Sequence, residues 1–138
     1  MDASTRNVER YDRAVSTADD RSPFERHFLE PHGQGALEDA THGATATDPA
    51  CGDELTLDLR VAEGVIEAAR FRVRGCSGAI AVGSALATLL PGRPARADAV
   101  DRAALEAELG GLPASKRHVL RLAQRTLGAA LQGNSSIT

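Results

Sequence analysis

A hairpin pattern followed at once by a charge-free apolar run leaves this chain few ways to fold. From Glu54 to Val61, Leu55, Leu57, Leu59 and Val61 alternate with Thr56, Asp58 and Arg60, the period of a strand with one buried face. Ala62-Glu63-Gly64 reads as its turn, and the return strand, Val65 to Arg74, carries Ile66, Ala68, Phe71 and Val73. The phase break between Ala68 and Phe71 predicts a bulge there. Ser77 to Leu90 is then rich in alanine, isoleucine, valine and leucine with no charged residue, which predicts a buried helix stopped by Pro91-Gly92.

The remaining elements are weaker in pattern. Ser22-Pro23-Phe24-Glu25 is a helix start, with serine as N-cap, proline at the first helical position and glutamate three residues after the cap. That helix ends near Glu30-Pro31. His32 to Thr47 reads as a loop closing with a first strand near Ala44 to Thr47. Asp98 to Leu109 predicts a short helix capped by Asp98 or Asp101. A final helix is expected from near Pro113 to about Leu131, with Val119, Leu122, Ala123, Leu127, Ala130 and Leu131 on one face and Gly133-Asn134 as its stop.

Strands first and helices after predict an α+β domain, a small antiparallel sheet of about three strands packed on one side against several helices. At 138 residues there is room for one domain, expected over 22–132, with residues 1–21 as a mobile polar leader and 133–138 as a disordered tail. Aromatic residues make up only 3% of the chain, so the core must be aliphatic and alanine-rich. A net charge of -3, with Lys116 the only lysine, argues against nucleic acid as a partner. No stretch reaches the roughly 20 apolar residues of a membrane span. The opening Met1-Asp2-Ala3-Ser4-Thr5-Arg6 has no apolar segment, so a cytoplasmic location is expected.

The two cysteines lie in Asp48-Pro49-Ala50-Cys51-Gly52-Asp53 and Arg74-Gly75-Cys76-Ser77-Gly78-Ala79-Ile80. Each is in a glycine-bearing turn beside a strand end, so the hairpin between them brings both to one end of the sheet. In a reducing compartment such thiols are ligands, reactive groups or buried apolar residues sooner than a disulfide. Cys76 falls at the start of the apolar helix, where the helix dipole and free N–H groups stabilise an anion, which makes it the more reactive of the two. Gly52, Gly75 and Gly78 would let backbone approach a bulky inorganic group. Taken singly, Cys76 reads equally as core, Asp53 as a turn residue and His118 as a solvated side chain; His27 and His32 are assigned to structure or solvent.

Taken together, these phrases resemble the NifU/IscU family of iron-sulfur cluster scaffolds, over about Phe24 to Leu131. His27-Phe28-Leu29-Glu30-Pro31 with Gly35 resembles the family's opening phrase. Pro49-Ala50-Cys51-Gly52-Asp53 resembles its first ligand motif, and Gly75-Cys76-Ser77-Gly78-Ala79-Ile80-Ala81 its second. Leu112-Pro113 through Lys116-Arg117-His118 to Leu122-Ala123 resembles its third. The resemblance implies a SufE/NifU-like fold and a ligand set of Cys51, Asp53, Cys76 and His118. It departs from the family at Val119, where a third cysteine normally follows the histidine, and it lacks the insertion usual in the zinc-dependent SufU branch. Leu112-Pro113-Ala114-Ser115-Lys116 is a degraded form of the family's chaperone-recognition sequence, so an Hsp70-type chaperone is not carried over as a partner.

Two thiolates, an imidazole and a carboxylate can close a tetrahedral zinc site, with Zn–S about 2.3 Å and Zn–N or Zn–O about 2.0–2.2 Å. They can also hold a [2Fe–2S] cluster, two donors to each iron. The resemblance implies a non-enzymatic scaffold that takes sulfur from a cysteine desulfurase, binds a transient cluster and passes it to apo-proteins. Two other readings stand beside it: a zinc-bound sulfurtransferase in which Cys51 or Cys76 relays persulfide, and a degenerate paralogue that regulates a true scaffold.

Overall fold

A computed structural model describes residues 21–132; the leader reading up to residue 20 and the tail reading over 133–138 fall outside the described residues. The elements run α1 (Pro23–Leu29), β1 (His42–Thr47), β2 (Glu54–Ala62), β3 (Val65–Arg74), α2 (Ser77–Leu89), α3 (Arg102–Leu109), a 3₁₀ turn (Ala114–Lys116) and α4 (His118–Ala130). The sheet is three-stranded, antiparallel throughout, in the order β1-β2-β3. This is the α+β arrangement expected from the sequence.

The β2–β3 hairpin closes through Glu63 (φ 52°) and Gly64 (φ 77°), two left-handed residues that match the right-handed twist of the strands. Leu55, Leu57 and Leu59 are fully buried on the face that receives the helices, while Thr56, Asp58 and Arg60 lie on the other. The bulge is not where the phase break suggested. Arg60 pairs with Ala68 but Val61 with Ile66, so the unpaired residue is Glu67, and pairing from Ala68 to Phe71 is regular. The inward residues are therefore Ile66, Ala69 and Phe71, and Ala68 belongs to the opposite face. Slipping one residue at Glu67 keeps a charged side chain in solvent and lets both Ile66 and Phe71 reach the core.

Helix α2 lies directly on this core. Phe71 is fully buried against Gly83, where a Cβ would sit only 2.3 Å from the ring. Helix α4 crosses β1 and β2 with Val119, Leu122, Ala123, Leu127 and Ala130 buried. Helix α1 starts with the expected capping box: Ser22 Oγ accepts from Glu25 N–H at 3.1 Å, and Glu25 Oε1 accepts from Ser22 N–H at 2.9 Å. Asp101, not Asp98, caps α3 by accepting from Ala104 N–H at 2.8 Å. Asp98 is instead engaged by Arg96 at 3.0 Å, which leaves the shorter helix.

The last helix also starts later than its pattern predicts. Lys116 N–H donates to Pro113 O and Arg117 N–H to Ala114 O, so 113–117 forms a tighter i to i+3 turn before the α-helix opens at His118. Apolar periodicity cannot separate a 3₁₀ turn from an adjoining α-helix, which explains the longer reading. The first strand, conversely, extends two residues further than expected, to His42, which pairs with Leu59. Among the described residues no helix is long and apolar enough to cross a membrane.

Candidate metal centre

The pairing of Glu54 with Arg74 puts the loop before β2 beside the loop after β3, so both cysteine phrases meet at one end of the sheet. The loop from Asp48 to Asp53 is tied at its neck: Asp48 N–H donates to Asp53 O at 2.7 Å and Gly52 N–H to Asp48 O at 2.8 Å. Gly52 turns it with φ 80°. Arg125 on α4 reaches Thr47 O at 3.3 Å, anchoring the strand end from which the loop springs.

Asp53 is the hub. It is only 6% exposed, and an ionised carboxylate at such a position needs partners. Its Oδ1 accepts from the Cys76 backbone N–H at 3.2 Å. Its Oδ2 accepts from the Cys76 thiol at 3.1 Å and meets His118 Nε2 at 3.2 Å. Burial alone would raise the Asp53 pKa, but the hydrogen bonds from Cys76, His118 and Cys51 and the Cys76 N–H outweigh it and hold the carboxyl below its ordinary range.

The ligating atoms of Asp53, Cys76 and His118 all lie within 4.8 Å of one another, and so do those of Asp48, Cys51 and His118. The four residues expected from sequence, Cys51, Asp53, Cys76 and His118, thus come to one place, and with Asp48 they make two triads that share His118. Both thiols are free, Cys51 exposed and Cys76 half-buried. A backbone N–H of Asp53 favours the Cys51 thiolate, yet desolvation, the approaching Asp53 carboxylate and the charge of Asp48 win and push that thiol above its ordinary pKa.

Asp48 is not singled out by the sequence reading. An aspartate before proline is by pattern a turn former, and its Oδ1 does accept from Ala50 N–H at 2.8 Å. The one further sequence signal is a carboxylate three residues before Cys51.

Two features of the surroundings go beyond the sequence reading. Cys76 stands at the N-cap position of α2 but makes no side-chain capping bond, because its thiol is turned to Asp53. Gly75 and Gly78 make room for side chains, whereas a Cβ on Gly52 would meet open space. A Cβ on Gly75 would lie 2.5 Å from Asp53 Oδ1, and one on Gly78 would press on Val119 and Lys116 at 3.2 and 3.3 Å. Val119, where the resemblance leads one to expect a third cysteine, is fully buried in the core.

His27 is structural, as one branch of the sequence reading had it. Its Nδ1 lies 2.6 Å from Ser84 Oγ and its Nε2 2.9 Å from Glu108 Oε2, while Ser84 Oγ also accepts from His32 N–H at 2.9 Å. These bonds tie α1 and the loop after it to α2 and α3, away from the cysteines.

Known proteins match this chain over most of its length. The model of the NifU-like N terminal domain family matches residues 22–137. The iron-sulfur cluster assembly scaffold protein IscU of Aquifex aeolicus is 39% identical over 109 residues, covering 77% of this chain and 69% of that protein. The protein of the same name from Azotobacter vinelandii is 34% identical over 112 residues, covering 77% and 86%. Among solved structures, the N-terminal part of a nitrogen-fixing NifU-like protein from Brucella abortus superposes with a TM-score of 0.68 at 16% identity, covering 82% of this chain and 92% of that one.

Proposed function

This chain belongs to the NifU-like N terminal domain family, and on that premise we propose that it is an iron-sulfur cluster assembly scaffold, a carrier without an enzymatic reaction of its own. The observation that carries the reading is the meeting of the Cys76 thiol and the His118 imidazole on one buried oxygen of Asp53. Three donors of three chemical types are gathered at one point, and the Cys51 thiol approaches both His118 and the Asp53 carboxylate.

Cys51, Asp53, Cys76 and His118 would hold the cargo. A [2Fe–2S] cluster fits four such donors, two to each iron, with the thiolates as the firm bonds to soft iron and sulfide. The carboxylate is the hard, weak donor, which suits a protein that must give up what it assembles. In the metal-free chain Asp53 holds the thiol proton of Cys76 by hydrogen bond; iron replaces that proton, and the carboxylate then turns from acceptor to ligand. A single zinc ion fits the same four donors. Sulfur would come from a cysteine desulfurase and the cluster would leave to recipient apo-proteins, in a cytoplasmic setting where thiols stay reduced.

The test is anaerobic reconstitution with ferrous iron, cysteine and a desulfurase. Retention of iron and acid-labile sulfide in equal amounts, with visible absorption lost in Cys51→Ser and Cys76→Ser, supports the reading. Zinc retained without sulfide under the same conditions, with added sulfur on a cysteine by mass spectrometry, would transfer it to the sulfur-relay class.

A further inference from the structure

Asp48 is a buried carboxylate with half its capacity unspent. It is 8% exposed, Oδ1 is taken by Ala50 N–H, and no described residue donates to Oδ2. Such an oxygen is costly to bury without a partner. Its neighbours are two metal-ligating groups, the Cys51 thiol and the His118 ring, with all three donors inside 4.8 Å. Around a tetrahedral ion with the bond lengths of zinc sites, donors stand roughly 3.3–3.8 Å apart, so only a small contraction is needed. The loop is already tied at its neck through Asp48 N–H, Asp53 O and Gly52 N–H.

We propose that Asp48, Cys51 and His118 form an outer station for a divalent ion of the zinc or ferrous class, from which it passes to the inner station of Asp53, Cys76 and His118. Three protein donors and an open fourth position make a labile site, in contrast to a closed structural one. The two stations differ in depth: Cys51 is exposed and Cys76 half-buried. His118 is common to both, so the ion moves inward by exchanging one carboxylate and thiolate pair for the other about a single imidazole, with no change of oxidation state. The incoming ion displaces the Cys51 proton to solvent; on transfer the Cys76 proton leaves and Cys51 is reprotonated. Asp48 thereby gains a role that its turn geometry alone does not require. The inference rests on the reading of the inner group as the loading site.

The experiment uses cobalt(II) as probe on the full chain. The sequence has two cysteines, so in Cys76→Ser any thiolate-to-cobalt charge-transfer band reports Cys51 alone. Cys76→Ser is expected to bind one cobalt ion with this band. Adding Asp48→Asn, whose amide oxygen can still accept from Ala50 N–H, should weaken binding by at least about tenfold, which is about 1.4 kcal/mol. Asp48→Ser gives a second variant able to keep the turn, and circular dichroism confirms folding in each. No band in Cys76→Ser, or equal affinity with and without Asp48, would overturn the outer station. Failure of the scaffold reading looks different: the wild type would retain no iron and sulfide while the cobalt titration still depended on Asp48.

Discussion

Asp53 and Cys76 are joined twice, Oδ1 to the backbone N–H at 3.2 Å and Oδ2 to the thiol at 3.1 Å, so the carboxylate fixes both the position and the orientation of the cysteine. His118 shares the second oxygen. A carboxylate used this way sets the geometry of the site and, as the hard donor of the proposed set, would be the weakest bond to a cluster.

The first prediction follows from that weakness. In Asp53→Ala the hard ligand is lost while both thiols remain, so cluster transfer to a recipient apo-protein should slow by about tenfold or less, not cease. Absorbance decay on mixing loaded protein with a chelator or recipient measures it; faster loss than wild type would contradict it.

Gly75→Ala keeps every donor and moves one of them. The new Cβ would stand 2.5 Å from Asp53 Oδ1, a distance real contacts do not show, so the carboxylate must turn away from Cys76. Zinc or cobalt affinity should fall by about 10–100-fold, the range seen when groups that orient metal ligands are lost. Isothermal titration reads the affinity.

Metal uptake should strengthen as pH rises. Cys51 is held protonated above its ordinary range, and metal binds the thiolate. Affinity should therefore climb through neutral pH and level off only above the usual thiol value of about 8.5, with a proton released from Cys51 for each ion bound at pH 7. Buffers of different ionisation enthalpy in calorimetry count those protons, and Cys51→Ser should flatten the slope.

Acid should act on the metal-free chain through Asp53. Its carboxyl is lowered in the folded state, so its contribution is complete above the unfolded value of about 3.9 and is lost as pH falls through the lower folded value. Asp53→Asn should lose less stability than wild type over that acidic window, as read by denaturant midpoints at several pH values. Identical acid dependence would remove Asp53 as the cause.

His27 offers the control far from the metal donors. His27→Ala abandons Ser84 and Glu108, leaving a fully buried hydroxyl short of one partner. A cost of about 1–3 kcal/mol is expected. Thermal unfolding should register it while cobalt affinity stays near wild type.

Much of this was legible from residue order. The alternation from Leu55 to Val61 and the charge-free run after Cys76 determine a hairpin laid on a buried helix, because period and charge are direct readings of burial. Cys51, Asp53, Cys76 and His118 were legible by their phrases; strand pairing brings the first three together, and α4, packed on β1 and β2, carries His118 to them. Glu67 was not, because a bulge can absorb a phase break at any nearby residue. Asp48 was not, because a turn-forming aspartate and a metal-facing one look the same until burial and neighbours are known. The start of α4 at His118 depended on i to i+3 bonds that leave no trace in apolar spacing.

The most direct measurement is iron and acid-labile sulfide content, with a visible spectrum, on protein purified and reconstituted without oxygen. The account predicts iron and sulfide in equal amounts, held by two thiolates with Asp53 and His118 although Val119 stands where the family's third cysteine would be. Protein that retains neither iron nor sulfide would contradict it.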